Sequence, residues 1–324
     1  MISGHGDDAY KYKDIRIDFS SNICAHGSHE ALMAHLAAQP DLLDHYPEPE
    51  AWSLERMIAE RHDIDPACVI VTSGATEAIY LIAHAFRYRP VIPQPTFSEY
   101  ADACEMAGCE EGGGTALWLC NPNNPTGEVY DQLYIDRMMA EHDLVVLDQS
   151  YEGYTDAHVM TPRWGCRTTY SVQIHSMTKM YGVPGLRLGY ITAHELLTEQ
   201  LRRYLRPWSV SALAVEAGKY LLQHDELLCQ PDLTEARRLR DALQQLPGIA
   251  VAPTQTNFML CSLSHGTAAD LKEYLATQHG ILIRDASNFR GLTPQHFRIA
   301  AQDPAANDAL ITAISHFTRL NTNR

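Results

Sequence analysis

The sequence predicts an α/β protein with a large domain on a mostly parallel central sheet and a smaller α+β domain. A length of 324 residues exceeds what one core normally holds. In the middle of the chain, short apolar runs alternate with helical patterns, as in parallel sheets. After about residue 205, a long helical stretch leads into short strands. We therefore expect a large domain over residues 25–205 and a small domain formed by 1–24 and 206–324.

Each predicted element rests on apolar periodicity. The strands of the large domain are expected at 69–72, 90–92, 117–120, 144–148, 172–176 and 187–192. Helices are expected at 76–86, 195–204, 212–224 and 234–245. In the small domain, strands at 248–252, 257–260 and 281–284 precede a final helix at 306–319.

Composition excludes several classes of partner. The net charge of −15 argues against nucleic acid and anionic membranes. No run of 18 apolar residues and no signal-like start are present, so we expect a cytoplasmic protein without a membrane partner. The eight cysteines lack metal-ligand spacing and are interpreted as reduced thiols, with no metal site.

The most specific chemical signal lies in residues 176–190. A hydroxyl, Ser176, precedes Lys179 by three residues in a glycine-rich loop, and Arg187 follows eight residues later. A lysine condenses with a carbonyl only as the free amine, which a nearby cation favours. A guanidinium also binds phosphate in a planar fork. The segment predicts a Schiff-base lysine beside a phosphate, although a helix-edge lysine and a surface arginine joined by a turn would show the same spacing.

Two other strand ends carry polar residues, where ligands of parallel sheets bind. Gly74, Ala75 and Thr76 begin a helix whose free N–H groups suit a phosphate, although many helices begin this way without a ligand. Asn124 lies in a loop stiffened by two prolines, which either holds its amide toward a ligand or forms a plain turn.

Asp148 ends an apolar strand, where a carboxylate is costly to bury without a cation or a strong donor. A protonated ring nitrogen would be such a partner, and a helix cap is the competing role. Tyr151, three residues later, would direct its phenol to the same point. Phe97 either stacks on a planar heterocycle or belongs to the core.

Two arginines lie within apolar segments near the C-terminus. Arginine is almost never buried on a strand unless it is paired. The segment around Arg298 contains no acidic residue, so we expect an anionic ligand there. Arg284 is followed by Asp285, which makes a structural ion pair an equal alternative.

In their order along the chain, these motifs resemble the pyridoxal-phosphate aminotransferase superfamily of fold type I. The motifs are Gly-Ala-Thr, an aromatic after Pro-Thr, Asn-Asn-Pro-Thr-Gly, Asp-x-x-Tyr, Ser-x-x-Lys with a trailing arginine, and a late arginine. The resemblance spans nearly the whole chain and is most specific at 121–127 and 176–190. It implies pyridoxal phosphate (PLP) as the cofactor and a homodimer with shared active sites.

The resemblance also implies residue roles. Lys179 would form the Schiff base, and Asp148 would keep the pyridine nitrogen protonated. Asn124 and Tyr151 would contact the ring O3′, with Phe97 on the ring face. The remaining roles concern anions: Gly74, Ala75, Thr76, Ser176 and Arg187 for the cofactor phosphate, Tyr46 for the cofactor phosphate of the neighbouring subunit, and Arg298 for the substrate carboxylate.

Within the superfamily, two groups of relatives compete. Histidinol-phosphate aminotransferases share the Tyr-Pro pair, the Asn-Asn-Pro-Thr-Gly loop and the late arginine. Threonine-phosphate decarboxylases of cobalamin biosynthesis are more similar at 5–6, 18–23, 178–190, 207–214 and 287–292. The chain departs from the family in a shortened region at 109–117, in Gln149 where an acidic residue is common, and in Cys24 where proline often stands.

We therefore expect a small anionic amino acid as substrate and predict decarboxylation of O-phospho-L-threonine. Its phosphate would lie near Arg284, His5 and the N-terminal segment that includes Asn22. A histidinol-phosphate or related aminotransferase is the alternative. A non-catalytic PLP-binding module and a nucleotide-binding α/β protein are alternatives of other classes, and the intact site residues and the missing nucleotide-binding glycine motifs argue against them.

Overall fold

The computed structural model describes residues 8–23, 29–111 and 113–322. The helices are α1 (Glu30–Ala37), α2 (Trp52–His62), α3 (Gly74–Phe86), α4 (Glu99–Ala107), α5 (Gln132–Glu141), α6 (Pro162–Gly165), α7 (Met177–Met180), α8 (Glu195–Arg202), α9 (Ala212–Leu222), α10 (Leu233–Gln244), α11 (Ala268–Tyr274) and α12 (Pro304–Thr322). The strands are β1 (Ile17–Asp18), β2 (Val69–Thr72), β3 (Arg89–Val91), β4 (Thr115–Cys120), β5 (Leu144–Asp148), β6 (Ser171–His175), β7 (Gly189–Ala193), β8 (Ile249–Val251), β9 (Phe258–Leu263), β10 (Ile281–Leu282), β11 (Arg284–Asp285) and β12 (His296–Ala300).

The central sheet has the strand order β2-β7-β6-β5-β4-β3 within the described residues. β3, β4, β5 and β6 are parallel to one another, and β7 is antiparallel to both of its neighbours. Helices cover both faces, so β5 is buried along its whole length and appears in the sequence as a continuous apolar run. The predicted mostly parallel sheet is confirmed.

Alternate residues of one strand supply the two faces of this sheet. Trp118 of β4 packs in a cluster with Ile79 of α3 and Tyr100 of α4. Its neighbour Leu117 points to the opposite face, in a cluster with Ile135 of α5. Because β4, β5 and β6 are parallel, their carboxyl ends lie at one edge of the sheet, between the two helical layers.

A second sheet with strand order β11-β12-β9-β8 is antiparallel and packs against α10, α11 and α12. β1 pairs in parallel with β10, which ties the N-terminal segment to this part of the molecule. The predicted α+β unit is therefore present. Helix α9 packs against α2, with Val215 and Leu54 in one cluster. The boundaries of the two domains stay a prediction.

The observed elements differ from the predicted ones at several places. The strand predicted from residue 187 begins at Gly189, because Arg187 has a left-handed backbone with φ of 53°. The strand predicted at 281–284 is divided into β10 and β11. Helix α2 was not predicted, because Glu55 lies on its buried face, paired with Arg202, and interrupts the apolar stripe.

No helix in the described part of the chain is long and apolar enough to span a lipid bilayer.

Candidate active site

A cleft of about 320 Å³ lies where β4, β5 and β6 end. It collects most of the residues that the sequence singled out, from segments far apart in the chain. The predicted site residues that line it are Asn22, Ala75, Thr76, Phe97, Asn124, Asp148, Tyr151, Ser176, Lys179, Arg187, Arg284 and Arg298.

Two predicted site residues of the described chain, Gly74 and Tyr46, are not among those that line the cleft. Gly74 lies directly behind its wall, because a Cβ built on it would come within 2.7 Å of Arg187 Nη2. Tyr46 is 84% exposed, and its ring centroid lies 5.3 Å from that of Trp208. His5 lies outside the described residues.

One end of the cleft is built to hold an anion. The N-terminus of α3 opens into it at Ala75 and Thr76, and the N-cap residue Ser73 makes no side-chain cap hydrogen bond. The N–H groups and the positive end of the helix dipole therefore remain for a ligand. Ser176 adds a hydroxyl and Arg187 a guanidinium, so this end suits a phosphate.

Close backbone packing holds this end in place. A Cβ on Gly189 would come within 2.8 Å of Ala75 N and of His175 O, so β7 touches the first turn of α3 through a bare Cα. Arg187 just before it adopts the left-handed conformation, which is unusual for a side chain with a Cβ. Such strain concentrates at functional sites.

Asp148 also lines the cleft and is only 4% exposed. Its Oδ2 accepts a hydrogen bond from Tyr100 Oη at 2.7 Å, and its Oδ1 accepts from Ser150 Oγ at 2.5 Å and from Ser150 N at 2.9 Å. Burial raises the pKa of Asp148, and the hydrogen bonds from Ser150 and Tyr100 and the charge of His175 oppose that rise. A cation seated in the cleft would stabilise this carboxylate further.

Lys179 lies on the short helix α7 and faces Tyr151. Its Nζ is 5.8 Å from the centroid of the Tyr151 ring, and its carbonyl oxygen accepts a hydrogen bond from Tyr154 Oη at 3.1 Å. Burial raises the pKa of Tyr151, which the charge of Arg298 partly offsets. The phenol is therefore neutral and available as a donor near pH 7. Phe97 packs edge-on against Tyr100, with ring centroids 5.8 Å apart.

Arg298 is almost fully buried without a carboxylate partner in the described residues. Its Nη1 donates to Asn124 Oδ1 at 2.6 Å, and its Nη2 donates to the carbonyl oxygen of Ser20. Its Nε has no hydrogen-bond partner there. Burial lowers the pKa of Arg298. A buried guanidinium held by neutral acceptors favours an anionic ligand, as the sequence predicted.

Arg284 reaches the same cleft from β11. Its Nη1 donates to the Asp285 carbonyl oxygen at 2.6 Å, and its Nη2 donates to Asn288 Oδ1 at 2.7 Å. Burial and the charge of Arg298 lower its pKa to about 10. The Asp285 carboxylate instead accepts from Ser287 N at 2.9 Å. The two arginines therefore feel each other's charge, which an anion between them would relieve.

The residues present fit a doubly anionic cofactor and an anionic substrate. Among the described residues that line the cleft, Lys179, Arg187, Arg284 and Arg298 are cationic and Asp148 is the one carboxylate. This balance is opposite in sign to the net charge of the chain. Some residues that line the cleft also carry buried polar atoms without a hydrogen-bond partner in the described structure: both amide atoms of Asn22, Thr178 Oγ1 and Arg298 Nε.

Sequence reasoning missed several residues of the site. Tyr100 and Ser150 anchor Asp148, and Ser20 and Asn288 hold the two arginines. Ser150 had a usable signal, since a serine two residues after an aspartate often bonds back to it. The contact between Ser20 and Arg298 spans 278 positions and leaves no local pattern.

The family model of class I and II aminotransferases matches residues 14–112 and 109–314. The chain belongs to this family, whose members depend on PLP. It is similar to threonine-phosphate decarboxylase of Salmonella typhimurium, with 31% identity over 93% of this chain and 91% of the relative. It is also similar to histidinol-phosphate aminotransferase of Caldanaerobacter subterraneus, with 28% identity over 83% of each chain.

The fold is similar to the crystal structure of L-threonine-O-3-phosphate decarboxylase from Porphyromonas gingivalis. The TM-score is 0.89 at 37% sequence identity, and the match covers 94% of this chain and 100% of that one. The predicted family, fold and cofactor are confirmed. The roles of individual site residues stay predictions.

Proposed function

We propose that this protein is a PLP-dependent decarboxylase of O-phospho-L-threonine. The observation that carries the proposal is the pair of buried arginines, Arg298 and Arg284, in the cleft that also holds Lys179 and Asp148. Phosphothreonine carries a carboxylate and a phosphate, one anion for each guanidinium. The similarity to two threonine-phosphate decarboxylases supports the same choice.

The residues present would hold the cofactor at both ends. Ala75, Thr76, Ser176 and Arg187 would bind its phosphate, and Asp148 would face its ring nitrogen. Lys179 would bond to its aldehyde carbon. Bound PLP supplies an electron sink for the bond that breaks at the substrate Cα.

Arg298 would decide which bond breaks, because it fixes the substrate carboxylate. By holding this carboxylate, Arg298 would set whether CO₂ or a proton is lost from the substrate Cα, and so whether decarboxylation or transamination follows. Lys179 Nζ, which faces the same space as Tyr151, would deliver the proton to Cα.

The test is to incubate the purified holoenzyme with O-phospho-L-threonine, without any keto acid, and to measure CO₂. We expect stoichiometric release of CO₂ and formation of an aminopropanol phosphate. Arg284→Gln should mainly raise KM, because it removes one charge from the proposed phosphate site. No CO₂, together with keto-acid-dependent turnover of histidinol phosphate, would instead establish the aminotransferase that the relative of 28% identity suggests.

A further inference from the structure

A hydrogen-bonded network lies behind the active-site cleft and centres on His175, the last residue of β6. His175 is fully buried. Its Nδ1 lies 3.0 Å from Glu152 Oε1, and its Nε2 lies 2.9 Å from Thr192 Oγ1. Its ring stacks on Tyr190, with centroids 4.5 Å apart and planes 16° apart.

The carbonyl of Met160 fixes the proton positions in this network. A carbonyl oxygen only accepts, so the amide atoms that face it must be nitrogens. These are Gln149 Nε2 at 2.7 Å and Gln173 Nε2 at 3.2 Å. The amide oxygen of Gln173 therefore points the other way, 3.2 Å from Thr192 Oγ1.

This orientation determines the protonation of His175. The Gln173 oxygen can only accept, so the Thr192 hydroxyl donates its single proton to it. Thr192 Oγ1 must then accept from His175 Nε2, which carries a proton. His175 Nδ1 faces the Glu152 carboxylate, which also only accepts when ionised. Both ring nitrogens donate, and a histidine in that state is an imidazolium.

We infer that His175 is a fixed buried cation and a positioning residue that keeps Asp148 ionised. Asp148 lies on the neighbouring strand β5, where it pairs with Ile174, the residue before His175. The positioning role of His175 rests on the proposed function, in which Asp148 faces the cofactor nitrogen. The charge of His175 is independent of that proposal.

The electrostatic surroundings agree with a charged His175. Burial raises the pKa of Glu152, but the charge and hydrogen bond of His175 outweigh it, and the net shift is downward. The titratable groups that face His175 are Glu152 after β5, Tyr190 on β7, His62 on α2 and Asp148 on β5. Burial and the charge of His175 together lower the pKa of His62 to about 4, so that ring stays neutral.

The charge is measurable directly by NMR on holoenzyme labelled with ¹⁵N in histidine. His175→Gln identifies the signal by its loss. We expect two protonated ring nitrogens for His175 at pH 7. A neutral ring, with one protonated nitrogen at pH 7, overturns the inference whatever the substrate proves to be.

Thr192→Val and Thr192→Ser form a matched pair, which also serves if His175→Gln does not fold. Valine removes the acceptor of the Nε2 proton with little change of shape, whereas serine keeps it. We expect the His175 ring of the valine variant to carry one protonated nitrogen at pH 7, and that of the serine variant to carry two, as in the wild type. The same number of protonated nitrogens in both variants contradicts the network.

The positioning role has a separate readout, the affinity for PLP. Loss of the His175 charge would raise the pKa of Asp148, so we expect His175→Gln to bind PLP about tenfold more weakly. His62→Gln, one ring further from Asp148, is the control and should bind PLP as the wild type does. If His175→Gln binds PLP as tightly as the wild type while NMR shows a charged His175, the positioning role is rejected and the charge of His175 stands.

Discussion

At the residue scale, the buried ionisable side chains form two groups that differ in what surrounds their charge. Those in the cleft are charged and face one another across space for a ligand, as Arg284 and Arg298 do. Those outside the cleft are satisfied by protein partners, as His175 of β6 is by Glu152. Because desolvation penalises a buried charge, the positive charges of the cleft are expected to be stabilised by a bound anion.

His62 leads to a prediction of pH-dependent stability. Its pKa falls from 6.5 to about 4 on folding, so the unfolded chain takes up a proton between these values and the folded chain does not. The fold is therefore destabilised as the pH drops below 6.5. This group should lower the free energy of unfolding by about 2 kcal/mol between pH 7.5 and pH 5.

Urea unfolding at the two pH values tests this prediction. His62→Gln can keep a hydrogen bond to Tyr190 Oη, which lies 3.1 Å from His62 Nε2, and should lose about 2 kcal/mol less than the wild type on acidification. His265→Gln, at an exposed position, is the matched control. An equal loss of unfolding free energy in His62→Gln and His265→Gln would show that His62 does not cause the acid destabilisation.

At the element scale, the phosphate end of the site depends on the contact between β7 and the start of α3. Glycine at 189 is required by proximity, since its Cα lies against backbone atoms of Gly74, Ala75 and His175. Glycine at 185, in the same segment, has no atom within 4 Å of a built Cβ. The two glycines of one motif therefore have different physical roles.

Gly189→Ala should separate β7 from α3 and weaken the binding of PLP. Backbone cannot move aside as a side chain can, so we expect a loss of about 1–3 kcal/mol in the free energy of unfolding. Gly185→Ala should stay within about 0.5 kcal/mol of the wild type. Urea unfolding and a PLP titration measure both effects. A Gly189→Ala variant as stable and as well loaded as the wild type would refute the role of this contact.

Element prediction from the sequence succeeded where the local pattern and the packing agree. The strands at 69–72 and 144–148 have the predicted bounds, because they are buried on both faces and end at polar residues. It failed for α2, where the buried Glu55 depends on Arg202, 147 positions away. No window of sequence contains both partners of that pair.

At the scale of the whole molecule, we propose a homodimer with shared active sites. Tyr46 does not line the cleft of its own chain and is exposed beside the half-exposed Trp208. Such an aromatic pair would be covered by a second copy, whose cofactor phosphate Tyr46 would reach.

Hybrid dimers test this proposal. Lys179→Ala and Tyr46→Ala should each be poorly active alone. After unfolding and refolding together, a hybrid dimer contains one site with both intact residues, so a random mixture should regain about a quarter of the wild-type activity. The expected dimer is checked by sedimentation. Failure to regain activity, with hybrid dimers demonstrated, would place Tyr46 outside the neighbour's site.

The sequence alone was sufficient for the family, the cofactor and half of the residues that line the cleft. PLP binding uses short motifs at the ends of strands, and the chemistry of such a motif can be predicted from a few neighbouring residues, as for Ser176, Lys179 and Arg187. The contacts that position the substrate-binding residues could not be predicted from the sequence. The contact of Arg298 with Asn124 spans 174 positions, and the charge of His175 depends on the carbonyl of Met160 through Gln173 and Thr192. Only packing decides which buried groups meet, and therefore which protons and charges they hold.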